Sequence, residues 1–300
     1  MKKHKLAKAT HELASAYRIT DGAKFRLKDF DPGDTDGVKS KEHAQEMLKE
    51  STEKLCDMQE KLYAQNQWAL LVIFQAMDAA GKDGAIKHVM SGVNPQGCDV
   101  HAFKAPGPEE LSHEYMWRAH SRVPERGKIG IFNRSYYEEV LVARVHESIL
   151  KNQRIPEQLL SKSIWEQRYK DMNAFEKYLT RNGIVVVKFF LHLSKQEQKR
   201  RFLGRLEDSA KNWKFSMADV KERGYWKDYM AAYEEMIQNT ATENAPWYVV
   251  PADNKWYTRL VVAAAVIETL KKLDLQFPDV DEEKKRELRK VKESLLASKE

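Results

Sequence analysis

From Leu70 to Met90 an apolar run, Leu70–Leu71–Val72–Ile73–Phe74, passes through Gln75 and the small residues around Asp78 into Gly81–Lys82–Asp83–Gly84, and Ile86, Val89 and Met90 then recur at helical spacing. The order reads as buried strand, phosphate loop and helix. Gly81 lets the backbone approach a phosphate closely, the amides and dipole of the helix start favour an anion, and Lys82 adds a point charge for bridging and terminal oxygens. Such a loop is built for a polyanion. Two positions depart from the usual pattern: Ala76 stands where a glycine is customary, and Asp83 stands where a serine or threonine hydroxyl would hold Mg²⁺. A carboxylate is the better ligand for a hard cation, so metal holding passes to Asp78 or Asp83, and Asp78 is favoured because it lies in the turn itself.

The rest of the chain alternates strands and helices. Residues 1–40 form a turn-rich polar arm with isolated aromatics and no sustained period. From Lys41 to Gln65, Leu48, Leu55, Met58 and Leu62 mark a long amphipathic helix. Beyond the phosphate loop, Cys98–Phe103 alternates like a strand and ends in a rigid loop at Pro106–Gly107–Pro108, which runs into a helix through Trp117 and His120. Lys128–Phe132 is a third strand, followed by Asn133–Arg134–Ser135–Tyr136–Tyr137–Glu138–Glu139 and a helix to about His146. A helix over 157–180 is stopped by Gly183, and Ile184–Leu191 is the clearest buried strand. Trp247–Val250 is the last, before a helix from Trp256 to Leu270. Five strands alternating with helices predict a parallel sheet covered on both faces, with ligands at the carboxyl ends of the strands.

Between the fourth and fifth strands lies Ser194–Asn239, whose first half carries Lys195, Lys199, Arg200, Arg201, Arg205, Lys211 and Lys214. It is too long and too charged for a plain crossover, and reads as a mobile helical lid. Residues 273–300 mix Lys, Arg and Glu around a narrow apolar seam, which reads as a solvated helix. With 42% hydrophobic and 32% charged residues, the 300-residue chain suits one large α/β domain, here 41–272 with its lid at 194–239. A net charge of +6 favours an anionic partner without separating nucleic acid from phosphate chains or nucleotides. Cys56 and Cys98 have neither metal-knuckle nor disulfide-framework spacing and read as buried small hydrophobes in a reducing compartment. The nine histidines lack metal-ligand spacing and read as packing or surface residues. The basic start Met1–Lys5 is not followed by an apolar core before Asp21, and no run approaches the roughly 18 apolar residues of a membrane span. A cytoplasmic protein without membrane contact is expected.

A phosphate loop with a basic lid between the fourth and fifth strands is the arrangement of nucleotide kinases. Three blocks sharpen this: Ala76–Gly84, Phe132–Tyr137, and Arg201–Arg205 with Trp213–Lys214. In this order they resemble the polyphosphate kinase 2 family, with similarity from about Phe25 to Leu270. The resemblance implies a three-layer α/β/α P-loop kinase fold with a five-stranded parallel sheet and a helical lid. It also implies Mg²⁺-dependent phosphoryl transfer between inorganic polyphosphate and purine nucleotides (AMP/ADP, GMP/GDP), with no nucleic acid as partner. Glu138 resembles the class III subgroup, associated with use of both mono- and diphosphates. On this reading Lys82, with Gly81, Asp83 and Gly84 beside it, holds the oxygens at the transfer point. Asp78 holds Mg²⁺, Asn133 contacts the metal's water shell, and Arg134 takes the acceptor phosphate. Arg201, Arg205, Lys211 and Lys214 engage the donor chain or close over the transition state. The long first helix and the resemblance together favour a homo-oligomer, a dimer or tetramer. Two other readings compete: an ATP-dependent P-loop nucleotide kinase, and a basic protein that binds polyphosphate or nucleic acid without turnover.

Overall fold

Ala69–Gln75 is buried at every position, so both faces of the sheet it joins must be covered. The computed structural model describes residues 13–38, 40–210, 212 and 215–298. Its strands are β1 (Arg18–Ile19), β2 (Ala69–Gln75), β3 (Cys98–Ala102), β4 (Ile129–Asn133), β5 (Ile184–His192) and β6 (Trp247–Pro251). They form one sheet in the order β1-β6-β5-β2-β4-β3. The five strands expected from the sequence are parallel. The sixth corrects the expected count: β1 lies within the N-terminal segment and pairs antiparallel with the outer edge of β6, and two residues are too few to leave a period in the sequence.

The longer helices are α1 (Lys41–Gln65), α2 (Lys82–Val89), α3 (Ile164–Arg181), α4 (Lys195–Glu207), α5 (Met217–Gly224), α6 (Trp226–Thr240), α7 (Lys255–Lys271) and α8 (Glu282–Ala297). Ser40 caps α1 by accepting from the His43 amide (3.1 Å). Leu55 and Leu62 of α1 join Val89 of α2 and the apolar face of α7 in one core, on one side of the sheet. Tyr169 and Met172 of α3 and Tyr233 and Met236 of α6 belong to the core on the other side. These are the three layers. α8 has no buried residue, and no helix among the described residues is long and apolar enough to cross a membrane.

Three expectations are corrected. The segment after β4 is not a continuous helix to His146 but a 3-10 turn, Tyr136–Val140, and a single turn, Val142–Val145. Its side chains explain this: Tyr136 and Tyr137 both donate their hydroxyls to Glu176 Oε1 (2.8 and 2.6 Å), and drawing two consecutive tyrosines to one acceptor is incompatible with the 100° helical step. The next helix begins at Ile164 rather than 157, after a 3-10 turn at Glu157–Leu159. Cys56 and Cys98 are half-buried rather than buried. Inside β5 stands Lys188, fully buried, donating to Glu176 Oε2 (2.6 Å), the Tyr137 hydroxyl (3.0 Å) and the Thr240 carbonyl (2.7 Å).

Strand register places the site. Phe74 of β2 and Ala102 of β3 both pair with Asn133 of β4, so the residues that follow each strand emerge side by side at one edge of the sheet. β2 is central, with β4 and β5 on either hand, and the chain leaves it in one direction towards β3 and later returns on the other side. That is a topological switch point, where open α/β sheets bind ligands.

Candidate active site

Gly81 caps α2 with φ 107°, the left-handed region that favours glycine. This conformation aims the first amides of α2 into the cleft above the sheet. Lys82 is buried and bridges the loop, donating from Nζ to the Ala76 carbonyl (2.7 Å). Burial holds its ammonium down to about 8, with the Arg134 charge adding to the effect and Asp78, Glu138 and Asp83 opposing it. An anion bound beside it would stabilise the ammonium against this desolvation.

Arg134 leaves the end of β4 in a left-handed conformation, φ 65°, uncommon for a non-glycine residue and typical of functional sites. Its Nη2 donates to Asp78 Oδ1 (2.9 Å), and the pair is partly open to solvent. Asn133 donates to Asp83 Oδ1 (2.7 Å). Glu138 is half-buried beside them: its negative charge is the largest influence raising the Arg134 pKa, while burial lifts Glu138 itself against the pull of Arg134 and Lys82. With its amide oriented to satisfy its neighbours, Gln75 donates to Glu138 Oε1 (2.8 Å) and accepts from Ser135.

One cleft of about 810 Å³ gathers Asp78, Gly81, Lys82, Asp83 and Gly84 from the loop and helix, Asn133 and Arg134 from β4, and Arg205 from α4. Arg205 faces Asp219 at the start of α5 (3.8 Å). Arg201 is placed differently from the expectation that it engages the donor. It is buried, with Nε on Glu197 (2.7 Å), Nη1 on the Ala79 and Ala80 carbonyls (2.9 and 2.7 Å) and Nη2 on the Ala252 and Asp253 carbonyls (2.6 and 3.0 Å). All the donors of its guanidinium are engaged in tying the phosphate loop to the end of β6. Lys211 and Lys214, and Trp213 between them, lie outside the described residues.

Several lining residues were not among those singled out. Lys87 and His88 of α2, Lys104 after β3, Asp219 of α5, and Lys255 and Arg259 of α7 all face this cleft. His88, read as packing or surface, has its Nδ1 on the Gly84 carbonyl (2.8 Å), which assigns the proton to Nδ1. The available signal for Lys255 and Arg259 was their i, i+4 spacing on the first turns of the helix after the last strand. The cleft is lined by seven Lys and Arg side chains against three carboxylates, an excess that favours a polyanion. No group of three or more His, Cys, Asp or Glu able to hold a metal occurs among the described residues. Asp78, whose second oxygen is free of Arg134, still fits Mg²⁺, which is commonly held by one or two carboxylates together with substrate phosphates and water.

The family profile of polyphosphate kinase 2 (PPK2) matches residues 38–278. The chain belongs to that family. An ADP-polyphosphate phosphotransferase of Rhodopseudomonas palustris is 48% identical over 281 residues, covering 93% of this PPK2 chain and 97% of the relative. An AMP/ADP-polyphosphate phosphotransferase of Meiothermus ruber is 44% identical over 263 residues, 87% of this chain and 94% of the relative. The crystal structure of polyphosphate kinase 2 from Arthrobacter aurescens matches the fold with a TM-score of 0.84 at 41% identity, over 92% of this chain and 95% of that one. The resemblance carried by the three sequence blocks, and the α/β P-loop kinase class it implied, therefore hold.

Proposed function

We propose that this PPK2 chain is a polyphosphate-dependent nucleotide kinase that reversibly moves the terminal phosphoryl group of inorganic polyphosphate to a nucleoside mono- or diphosphate. The observation that carries this reading is the convergence of a buried Lys82 and the Asp78-bound Arg134 on one strongly cationic cleft. Donor and acceptor are both polyanions, and their repulsion is the first barrier to bringing them together. Lys82 and the α2 amides hold the oxygens flanking the transferred group, and Arg134 turns from Asp78 to the acceptor phosphate. Arg205, with Lys211 and Lys214, closes over the transferring group as residues 194–239 act as a lid. The loose transition state is stabilised by this positioning and charge, without a covalent enzyme intermediate. Asp78 would hold Mg²⁺, with Asn133 beside its water shell and Asp83 engaged by Asn133, and the ion would supply charge neutralisation to the phosphates.

The names of the two relatives carry ADP in one case and AMP/ADP in the other, and Glu138 beside Arg134 favours use of both as acceptors here. The enzyme works in the cytoplasm as a dimer or tetramer. Incubation with Mg²⁺, long-chain polyphosphate and AMP or ADP should yield ADP or ATP, resolved by chromatography; no product with any purine acceptor contradicts the assignment. Glu138→Asn should lower turnover of AMP more than of ADP. An unchanged ratio would remove Glu138 from acceptor choice.

A further inference from the structure

Two cavities meet at the start of α7. Lys255 and Arg259 line the main cleft, and the same two side chains line a second cavity of about 330 Å³. Lys41 from the first turn of α1 and Arg200 from α4 also line it. The polar groups of this second cavity do not balance. Its lining includes five Lys or Arg residues and two carboxylates, Glu197 and Asp253. Glu197 is already gripped by both Arg200 (2.6 and 2.6 Å) and Arg201 (2.7 Å), and Asp253 Oδ1 accepts from the Ser194 amide (2.8 Å). The fork of Arg201 is used up on backbone carbonyls.

The side chains of Lys41, Lys255 and Arg259 form no hydrogen bond or ion pair among the described residues, although the charge of Glu197 attracts Lys255 from a distance. For Arg259 this matters most, because it is half-buried and a partly desolvated guanidinium without an acceptor is costly. Burial holds both Arg259 and Lys255 below their ordinary ranges, and Lys255 is further depressed by the neighbouring Arg201. An anion that enters here relieves the desolvation and the mutual repulsion together.

The two cavities share Lys255 and Arg259, so one long anion can occupy both, whereas a small anion fills only one. We propose that the second cavity is a distal subsite for the donor: phosphates several units back from the transferring end pass over Lys255 and Arg259 and settle against Lys41 and Arg200. This rests on the polyphosphate reading above and adds to it a physical basis for chain-length preference. Each phosphate neutralised releases counterions, and contacts far along one chain reinforce those at its end. Binding therefore strengthens with length without any change in the chemistry.

The test uses the full-length enzyme and two probes. Long-chain polyphosphate is the donor; tripolyphosphate, with only three phosphates, is a competitor at the main cleft. In the Lys41→Gln/Arg200→Gln variant the KM for the long chain should rise about tenfold, while kcat and the inhibition constant of tripolyphosphate stay within about twofold. An unchanged KM overturns the subsite, and so does an equal rise in KM and in the inhibition constant. Because Arg200 also touches Glu197, Lys41→Gln is made alone; it should raise the long-chain KM about threefold with no loss of kcat, and no rise overturns the proposal. Wild-type enzyme that leaves long-chain polyphosphate untouched overturns the functional reading instead, a result distinct from wild-type turnover whose KM the substitutions do not move.

Discussion

At the scale of single residues, the site is organised by two cations with opposite assignments. Lys82 is held at about 8 by burial and by Arg134, so the free enzyme loses this charge as pH rises through that value. Because kcat/KM reports the free enzyme, it should show an alkaline limb near pH 8. Lys82→Arg stays charged and should move that limb upward even at a lower rate; a limb left in place assigns the titration to another group. The stability sign follows from the same depression. A lysine whose folded pKa lies below its unfolded value binds fewer protons in the native state, so its cost is full below pH 8 and vanishes above about 10.5. Without substrate, Lys82→Met should therefore be more stable than wild type at pH 7, by on the order of 2–3 kcal/mol, with the gap closing towards pH 10 in denaturant titrations. Arg201 belongs to the loop. Arg201→Lys should lower kcat at least about tenfold with little change in the KM for polyphosphate, whereas a direct donor contact would show chiefly in that KM. The places of Asp78 and Lys82 in the cleft were legible because their spacing from the strand and helix fixes where they stand. That of Arg201 was not, since its partners are carbonyls of Ala79, Ala80, Ala252 and Asp253, and carbonyls have no signature in sequence.

Among the elements, the five parallel strands, α1 and α7 could be read from period and punctuation alone; β2, β4, β5, β6 and the two helices bury continuous faces, while β3, with no buried residue, was given by its alternation and the turn before it. The segment after β4 could not. Its conformation is set by a buried network in which Glu176 of α3 accepts from Tyr136, Tyr137 and Lys188 of β5, and that network holds the strip bearing Arg134 and Glu138 against the cleft. Every donor of the Lys188 ammonium has an acceptor, so removing one partner strands a buried charge. Lys188→Met should destabilise the fold by about 3–5 kcal/mol, measured by denaturant unfolding, and adding Glu176→Leu should recover much of the loss. If Lys188→Met costs no more than an exposed substitution, the network does not hold this part of the core.

Across the whole molecule, the cleft assembles from segments far apart in the chain. Lys104, Asp219, Lys255 and Arg259 share it with the phosphate loop only because the strand order brings the carboxyl ends of β2, β3, β4 and β6 to one edge, and no local pattern could have grouped them. α8 contributes no buried residue; deleting residues 279–300 should leave the melting temperature within about 2 °C and turnover unchanged, by thermal denaturation and steady-state assay. The central claim is that both polyanions occupy the cleft together and the phosphoryl group passes directly between them. His88, whose Nε2 is not engaged by the bond at Nδ1, offers the alternative of a phosphoenzyme. Initial velocities over a grid of polyphosphate and ADP concentrations separate the two: the account predicts reciprocal plots that intersect, and parallel lines, the mark of a ping-pong covalent route, would contradict it.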